Sequence, residues 1–259
     1  MKDFTQLYSS MIYFKEGMKQ RWGLAEYNDP NSPSVFHGLP ELADVHAFVN
    51  HKSFKLLYFA GADCTPEKIQ IVKNTPNVMC IGWSPWVIQI LKSNNIPYKA
   101  FNLPLKYYDD FKSTMLGENI YVYKGLHGNR ADYFMWDSVV KPLEQVFGSD
   151  RVIHTSFQPF NVLIDKYYND CFVYIKPNQR GGSTAMWELG YMGRKTISIN
   201  QGNLPHVLNS NSLEETIKLI MQESKKIGTF QHQLSKQVHN SFLNSDEWLY
   251  LNFYNWKIK

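Results

Sequence analysis

Cysteine is scarce in this chain of 259 residues: the three present, Cys64, Cys80 and Cys171, stand far apart in apolar, strand-like surroundings. None sits in the C-x-x-C spacing of a zinc or redox site. The expectation is buried free thiols in a reducing compartment. Long apolar runs are missing too, since nothing approaches the roughly 18 residues of a membrane span. The opening KDFTQLYSS has no apolar signal core behind it. A soluble, cytoplasmic protein is expected. Basic tracts are also absent: 27 Lys and Arg against 23 Asp and Glu leave a charge of +4. That balance admits a nucleotide, a membrane surface or nucleic acid as partner without pointing to one. The histidines show neither H-x-x-x-H nor a carboxylate at ligand spacing, so no metal is expected. Internal repeats and low-complexity tracts are lacking.

What is present is apolar bulk, 44% hydrophobic and 15% aromatic, enough for one large core or two small ones. From residue 55 onward strand-like and helix-like runs alternate. KLLYFAG (55–61), NVMCIGW (77–83), NIYVYKG (119–125), RVIHTS, CFVYIKP and TISIN read as strands. TPEKIQIVKN and SPWVIQILKSNN read as helices, each with a hydroxyl cap followed by proline. ADYFMWDSVVKPLEQVFG, LIDKYYND, the segment after GGST and LEETIKLIMQESKKI read as further helices, and the aromatic tail EWLYLNFYNW as a last one. Strands separated by helices predict an α/β fold with parallel sheets covered on both faces. The segment 100–119 carries Pro104 and Gly117 without periodicity and serves as a linker. Two Rossmann-like lobes follow, 1–116 and 117–259, the first reduced in size and the C-terminal helix packing back on it.

The stretch KPNQRGGSTAMWELGYMGRKTISIN, Lys176 to Asn200, carries the ligand signal. Parallel sheets bind ligands at the carboxyl ends of their strands, where helix amino termini offer free N–H groups. Gly181 and Gly182 allow close backbone approach, and Ser183 and Thr184 set hydroxyls beside a helix start, a place for a diphosphate. Glu188, about one turn further up the same face, reaches past the phosphates toward ribose or sugar. A glycine pair with a hydroxyl cap also serves purely conformational ends, so these residues alone leave both readings open.

The whole stretch resembles the donor-binding loop of GT-B glycosyltransferases. In their large retaining group, that loop runs as proline, a Glu-Gly-Phe-Gly turn, a second Glu of an E-x7-E pair, an A-x-G bend and a strand. Gly181 falls where the turn begins, Glu188 matches the second Glu, and YMGRKTISI matches bend and strand. FAGADCT is similar to the family's His-Gly-Thr-Asp segment, with Gly61 and Asp63 kept and Ala60 replacing His. CIGWSPWVIQILKSNNIPYKAFNLP resembles the strand, helix and G-I-P-like segment closing the amino domain. YVYKGLHGNRADYF resembles the first strand and phosphate-binding loop of the donor domain, with Lys124 and Arg130 in the basic places. The likeness spans roughly Leu56 to Leu219. Two departures stand out. Arg180 replaces the first Glu, and SVFHGLPELADVH, with its His37-Gly38 pair, stands where a Gly-rich loop often opens the fold.

The resemblance implies sugar transfer from a nucleotide diphosphate sugar to a hydroxyl, with no cofactor beyond that co-substrate. Lys124, Arg130 and Arg180 would handle diphosphate; an arginine accepts no proton but neutralises a leaving group as charge develops. Retention or inversion stays open. Gly182, Ser183 and Thr184 would assist, and Glu188 would hold ribose or sugar. Asp63 is the candidate base toward the acceptor, its rival role being N-cap of the TPEK helix. Gly61, His37 and His127 are candidate acceptor or phosphate contacts, His127 equally an idle loop histidine. The acceptor is a surface glycan or a hydroxymethylated pyrimidine in DNA, as in some viral enzymes of this fold, which would place the chain in a host cytoplasm. A nucleotide-sugar binding module without catalysis is the alternative, motivated by Ala60, Arg180 and the short first lobe.

Overall fold

Two parallel sheets organise the chain, and the described residues are 2–59, 63–101, 103, 111–124, 135–156, 158–177, 184–198, 204–242 and 245–250 of a computed structural model. They divide into two compact units, one holding 2–103 with 242–250 and the other 111–177 with 184–241.

The first unit runs β1 (Gln6–Tyr8), α1 (Ile12–Trp22), β2 (Ala25–Glu26), β3 (Ser34–His37), α2 (Leu42–Asn50), β4 (Lys55–Tyr58), α3 (Pro66–Asn74), β5 (Val78–Gly82), α4 (Pro85–Ser93) and β6 (Tyr98–Ala100). Its strands lie in the order β2-β1-β3-β4-β5-β6, all parallel. The period-two alternation of a strand explains how both faces are covered. Leu56 and Tyr58 of β4 enter one core cluster with Val35, Met79 and Ile81. Leu57 and Phe59 enter the other with Phe36 and Cys80. The helix starts follow the hydroxyl–proline signals. Thr65 Oγ1 accepts from Lys68 N–H at 3.4 Å before Pro66, and Ser84 Oγ from Val87 N–H at 3.2 Å before Pro85. The chain's last described segment, with a 3-10 turn at Glu247–Leu249, belongs to this unit. Trp248 meets Trp22 edge-on at 5.2 Å, and the Leu249 carbonyl accepts from the N–H groups of Asp3 and Phe4 at 3.0 and 2.9 Å. The helical reading of the tail beyond Tyr250 lies outside the described residues.

The second unit runs β7 (Asn119–Tyr123), a π-helical turn (Trp136–Val140) continuing into α5 (Lys141–Phe147), β8 (Val152–Thr155), α6 (Phe160–Leu163) with a second π turn (Ile164–Tyr168), β9 (Cys171–Lys176), α7 (Thr184–Tyr191), β10 (Lys195–Ser198), β11 (Val207–Asn209), α8 (Leu213–Ser224) and α9 (His232–Asn240). Its parallel order is β11-β10-β9-β7-β8. Numbered from its own first strand, each sheet therefore reads 2-1-3-4-5, the flavodoxin-like doubly wound order, with one further strand in the first. The α/β class with two parallel Rossmann-like sheets is the one the sequence predicts. Gly193, at φ 88°, turns the chain out of α7 into β10, as the A-x-G-like bend requires. All three cysteines are buried free thiols, and burial pushes those of Cys64 and Cys171 up to about 12. Among the described residues no helix is long and apolar enough to cross a membrane.

Each unit encloses a neutral histidine. His37 lies between Phe14 and Tyr58, ring centroids 5.5 Å away in both cases, and His206 lies 4.6 Å from Trp187. Burial pushes both down to about 3 from an ordinary 6.5. A depressed histidine holds its full stabilising share above the unfolded value and loses it as pH falls below 6.5 toward 3. Each should remove about 1.4 kcal/mol per pH unit in that window. Urea midpoints taken between about pH 7.5 and pH 5 should fall steeply. His206→Leu should flatten the slope for the second unit; an unaltered slope would mean that His206 is not the group taking up the proton.

Candidate functional site

In doubly wound sheets the ligand crevice opens where neighbouring strands send their connections to opposite sides. In the second sheet that place is between β7 and β9, paired with Val122 opposite Ile175. Lys124, just past the end of β7, is exposed, and its ammonium lies 5.0 Å from the centre of the Trp136 ring. Its N–H bonds the Thr155 carbonyl at 2.7 Å, which fixes where the loop leaves the sheet. Lys176, the last residue of β9, is 4% exposed, and burial pushes its ammonium down to about 7.

Thr184 opens α7 and is half-buried, while Glu188 sits one turn later on the same face and is 1% exposed. Glu188 Oε2 accepts from the Tyr168 hydroxyl at 2.7 Å. Tyr168 packs edge-on against Tyr121 at 5.4 Å, and Tyr121 in turn bonds Thr155 Oγ1 at 2.9 Å. A carboxylate, two phenols and the end of β8 are thus tied together beneath the helix. Gly181, Gly182, Ser183, Arg180, Arg130, His127 and Gly61 lie outside the described residues.

A cavity of about 210 Å³ opens beside Lys176. Ile175, Lys176 and Pro177 form one wall, Ile197 and Ser198 another, and Ser210 to Leu213 with Thr216 a third. Met135, just before the first π turn, and Ser138 and Val139 within it close the cavity. Ser198 Oγ donates to the Lys176 carbonyl at 2.8 Å, and Ser210 and Thr216 share a hydroxyl bond of 2.8 Å. Ser212 caps α8, accepting from Glu215 N–H at 3.1 Å.

The corresponding crevice of the first sheet lies between β1 and β3. His37 ends β3 there, fully enclosed, its Nδ1 3.3 Å from Ser9 Oγ. Gly38 follows at φ 75°, and a Cβ on it would come within 2.7 Å of Met11 and 3.0 Å of Asp63 Oδ2. Asp63, 7% exposed, accepts from Leu39 N–H at 2.7 Å through Oδ2. The carboxylate after β4 therefore fastens the loop after β3, and the cap of α3 is Thr65.

Lys176 escaped the sequence reading. The signal available was a lysine closing an otherwise apolar parallel strand at its carboxyl end, just before proline, where solvating a strand end and facing a ligand look alike.

Paired doubly wound sheets of this topology define a GT-B-like α/β fold. No protein-family model matches the chain, and no curated protein sequence does. Among solved structures it is similar to the sucrose-phosphate synthase of Thermosynechococcus elongatus, with a TM-score of 0.54 and 13% identity over 88% of this chain and 72% of that one. It is also similar to the DNA-modifying enzyme β-glucosyltransferase, solved in the presence and absence of its substrate uridine diphosphoglucose. There the TM-score is 0.55 and the identity 12%, over 95% of both chains.

Proposed function

We propose that this chain transfers a sugar from a nucleotide diphosphate sugar to a hydroxyl acceptor in the cytoplasm, with no essential metal or other cofactor. The observation that carries the proposal is the carboxyl edge of the second sheet, where Lys124 follows β7, Thr184 opens α7 and Glu188 lies one turn on. That edge offers cation, helix N–H groups and carboxylate in the order in which a nucleotide diphosphate sugar presents phosphate and hydroxyls. The likeness in fold to a DNA β-glucosyltransferase over 95% of both chains supports the reading. In this scheme Arg180, Lys124 and Arg130 neutralise the departing diphosphate, Gly182, Ser183 and Thr184 cradle it, Glu188 holds ribose or sugar, and Asp63 serves the acceptor. The acceptor is a glycan or a hydroxymethylated pyrimidine in DNA, the latter reached by turning the base out of the stack. A second reading, a binding module without catalysis, draws on Arg180 standing where the resembled loop has a carboxylate.

The test is a panel of UDP-, GDP- and ADP-sugars with EDTA, read as nucleotide release with glycan, with hydroxymethylated DNA, or with neither. One donor should raise the melting temperature and release nucleotide with one acceptor. Glu188→Gln should keep the fold and weaken that donor at least about tenfold, roughly 1.4 kcal/mol of lost interaction. Stabilisation without release under any acceptor would favour the binding module, and no stabilisation by any nucleotide would remove the donor site altogether.

A further inference from the structure

We propose that Tyr168 is a positioning residue for Glu188, its phenol holding the carboxylate in the one orientation in which it meets the ribose or sugar hydroxyls of the donor. The inference rests on the donor-site reading of Glu188 and extends it to the residue through which that side chain is set. Tyr168 ends the second π turn and is buried, and its hydroxyl donates to Glu188 Oε2 at 2.7 Å, the length of a charge-assisted bond. The two come from different elements, one before β9 and one after it, so the bond is a tertiary contact and no by-product of helix geometry.

The π turn fixes where the phenol points. Asn169 N–H bonds the Ile164 carbonyl five residues back at 3.1 Å, the spacing that defines such a turn, and single π turns within helices recur at functional sites. Cys171 Sγ donates to the Tyr168 carbonyl at 3.4 Å, and the Tyr168 ring stands edge-on to that of Tyr121, so backbone and ring are both held. Burial first, and the Glu188 charge next, push the Tyr168 phenol well above its ordinary 10.0. It therefore keeps its proton and remains a donor at any working pH.

Packing alone does not call for this pair. Phenylalanine beside leucine or methionine would fill the same space without desolvating a hydroxyl and a carboxylate. An ionised carboxylate offers about four acceptor sites on its two oxygens, and the phenol occupies a single one of them. A glutamate already held in its binding rotamer gives up less freedom when a ligand arrives, and by that route Tyr168 raises donor affinity without touching the donor.

The test is a double-mutant cycle read as donor affinity. UDP-glucose, GDP-glucose and ADP-glucose are titrated calorimetrically, with EDTA, into the full chain as wild type, Tyr168→Phe, Glu188→Gln and the two combined. Tyr168→Phe should weaken the donor that binds by about tenfold, the loss expected for one hydrogen bond to a charged group. The two losses should overlap, leaving the double variant close to Glu188→Gln alone, whereas independent losses would multiply to about a hundredfold. Tyr168→Phe binding like wild type, or losses that multiply, overturns the positioning role and leaves the donor site standing. Binding of none of the three sugars to wild type removes the donor site and the role with it. If Tyr168→Phe does not fold, a fluorotyrosine in place of Tyr168 decides: its fluorine resonance should move as the donor saturates, and an unmoved resonance overturns the proposal.

Discussion

Replacing Arg194 by methionine is expected to unfold the second unit at denaturant concentrations where the first stays folded. The guanidinium is completely buried and reaches three separated stretches of backbone. Nε donates to the Cys171 carbonyl at 3.2 Å, and Nη1 to the Thr114 carbonyl and hydroxyl at 3.2 and 2.6 Å and to the Met192 carbonyl. Nη2 donates to the carbonyls of Met115 and Asn169 at 2.8 and 3.3 Å. Five N–H groups thus serve six acceptors, which only a planar fork can do. Methionine fills most of the volume but leaves those acceptors without their donor, each at about 1–3 kcal/mol when no water replaces it. With partial relaxation the net cost is roughly 4 kcal/mol, a large share of the 5–15 kcal/mol of a typical domain. Arg194→Lys should cost less, since an ammonium keeps one or two of the bonds. Hydrogen exchange resolved by peptide, followed through a denaturant series, separates the units. Protection should collapse in 111–177 and 184–241 and persist in 2–103. Equal protection in wild type and Arg194→Met would mean that the acceptors are satisfied in some other way.

The same residue shows where reading a sequence stops. In GYMGRKTISI the arginine follows a turn glycine and resembles a solvated surface charge. Its burial depends on Thr114 and Asn169, 80 and 25 positions away, and no local pattern brings those together. Lys176 and His206 escaped for a related reason, because polar side chains at strand ends are solvated or enclosed according to what the rest of the chain lays over them. The strands of the middle of the chain were legible because β4, β5, β7 and β9 are apolar runs bounded by turn residues, and α3 and α4 announce themselves by Thr65 and Ser84. The first fifty residues were not. β1 and β2 hold three and two residues, too few for a period of two to show, and α1 buries only Met18 and Trp22 along eleven residues. Lys124, Thr184 and Glu188 were named as candidates for the donor side from their order along the chain. The hydrogen bond that holds Glu188 comes from Tyr168, twenty positions earlier, and only the folded sheet reveals it.

Asp63→Asn is expected to leave the fold and donor affinity intact while lowering turnover by about two to four orders of magnitude, the usual range for losing a general base. The substitution is informative because of what it keeps. Asp63 Oδ2 accepts from Leu39 N–H at 2.7 Å and crowds the Cβ-less Gly38, so the carboxylate fixes the loop after β3. The amide oxygen of asparagine can take the same N–H in nearly the same volume, so the loop should stay and the melting temperature should move by a few degrees at most. What disappears is the negative charge, and with it the capacity to take a proton from an attacking hydroxyl. A residue that only orients the acceptor would raise KM and spare kcat, so the two roles separate in steady-state kinetics, with donor binding followed independently by calorimetry. A drop in kcat with unchanged donor affinity is the expected result. Lost donor affinity with unchanged acceptor kinetics would move Asp63 to the donor, and wild-type kinetics throughout would reduce it to the anchor of the Gly38–Leu39 turn.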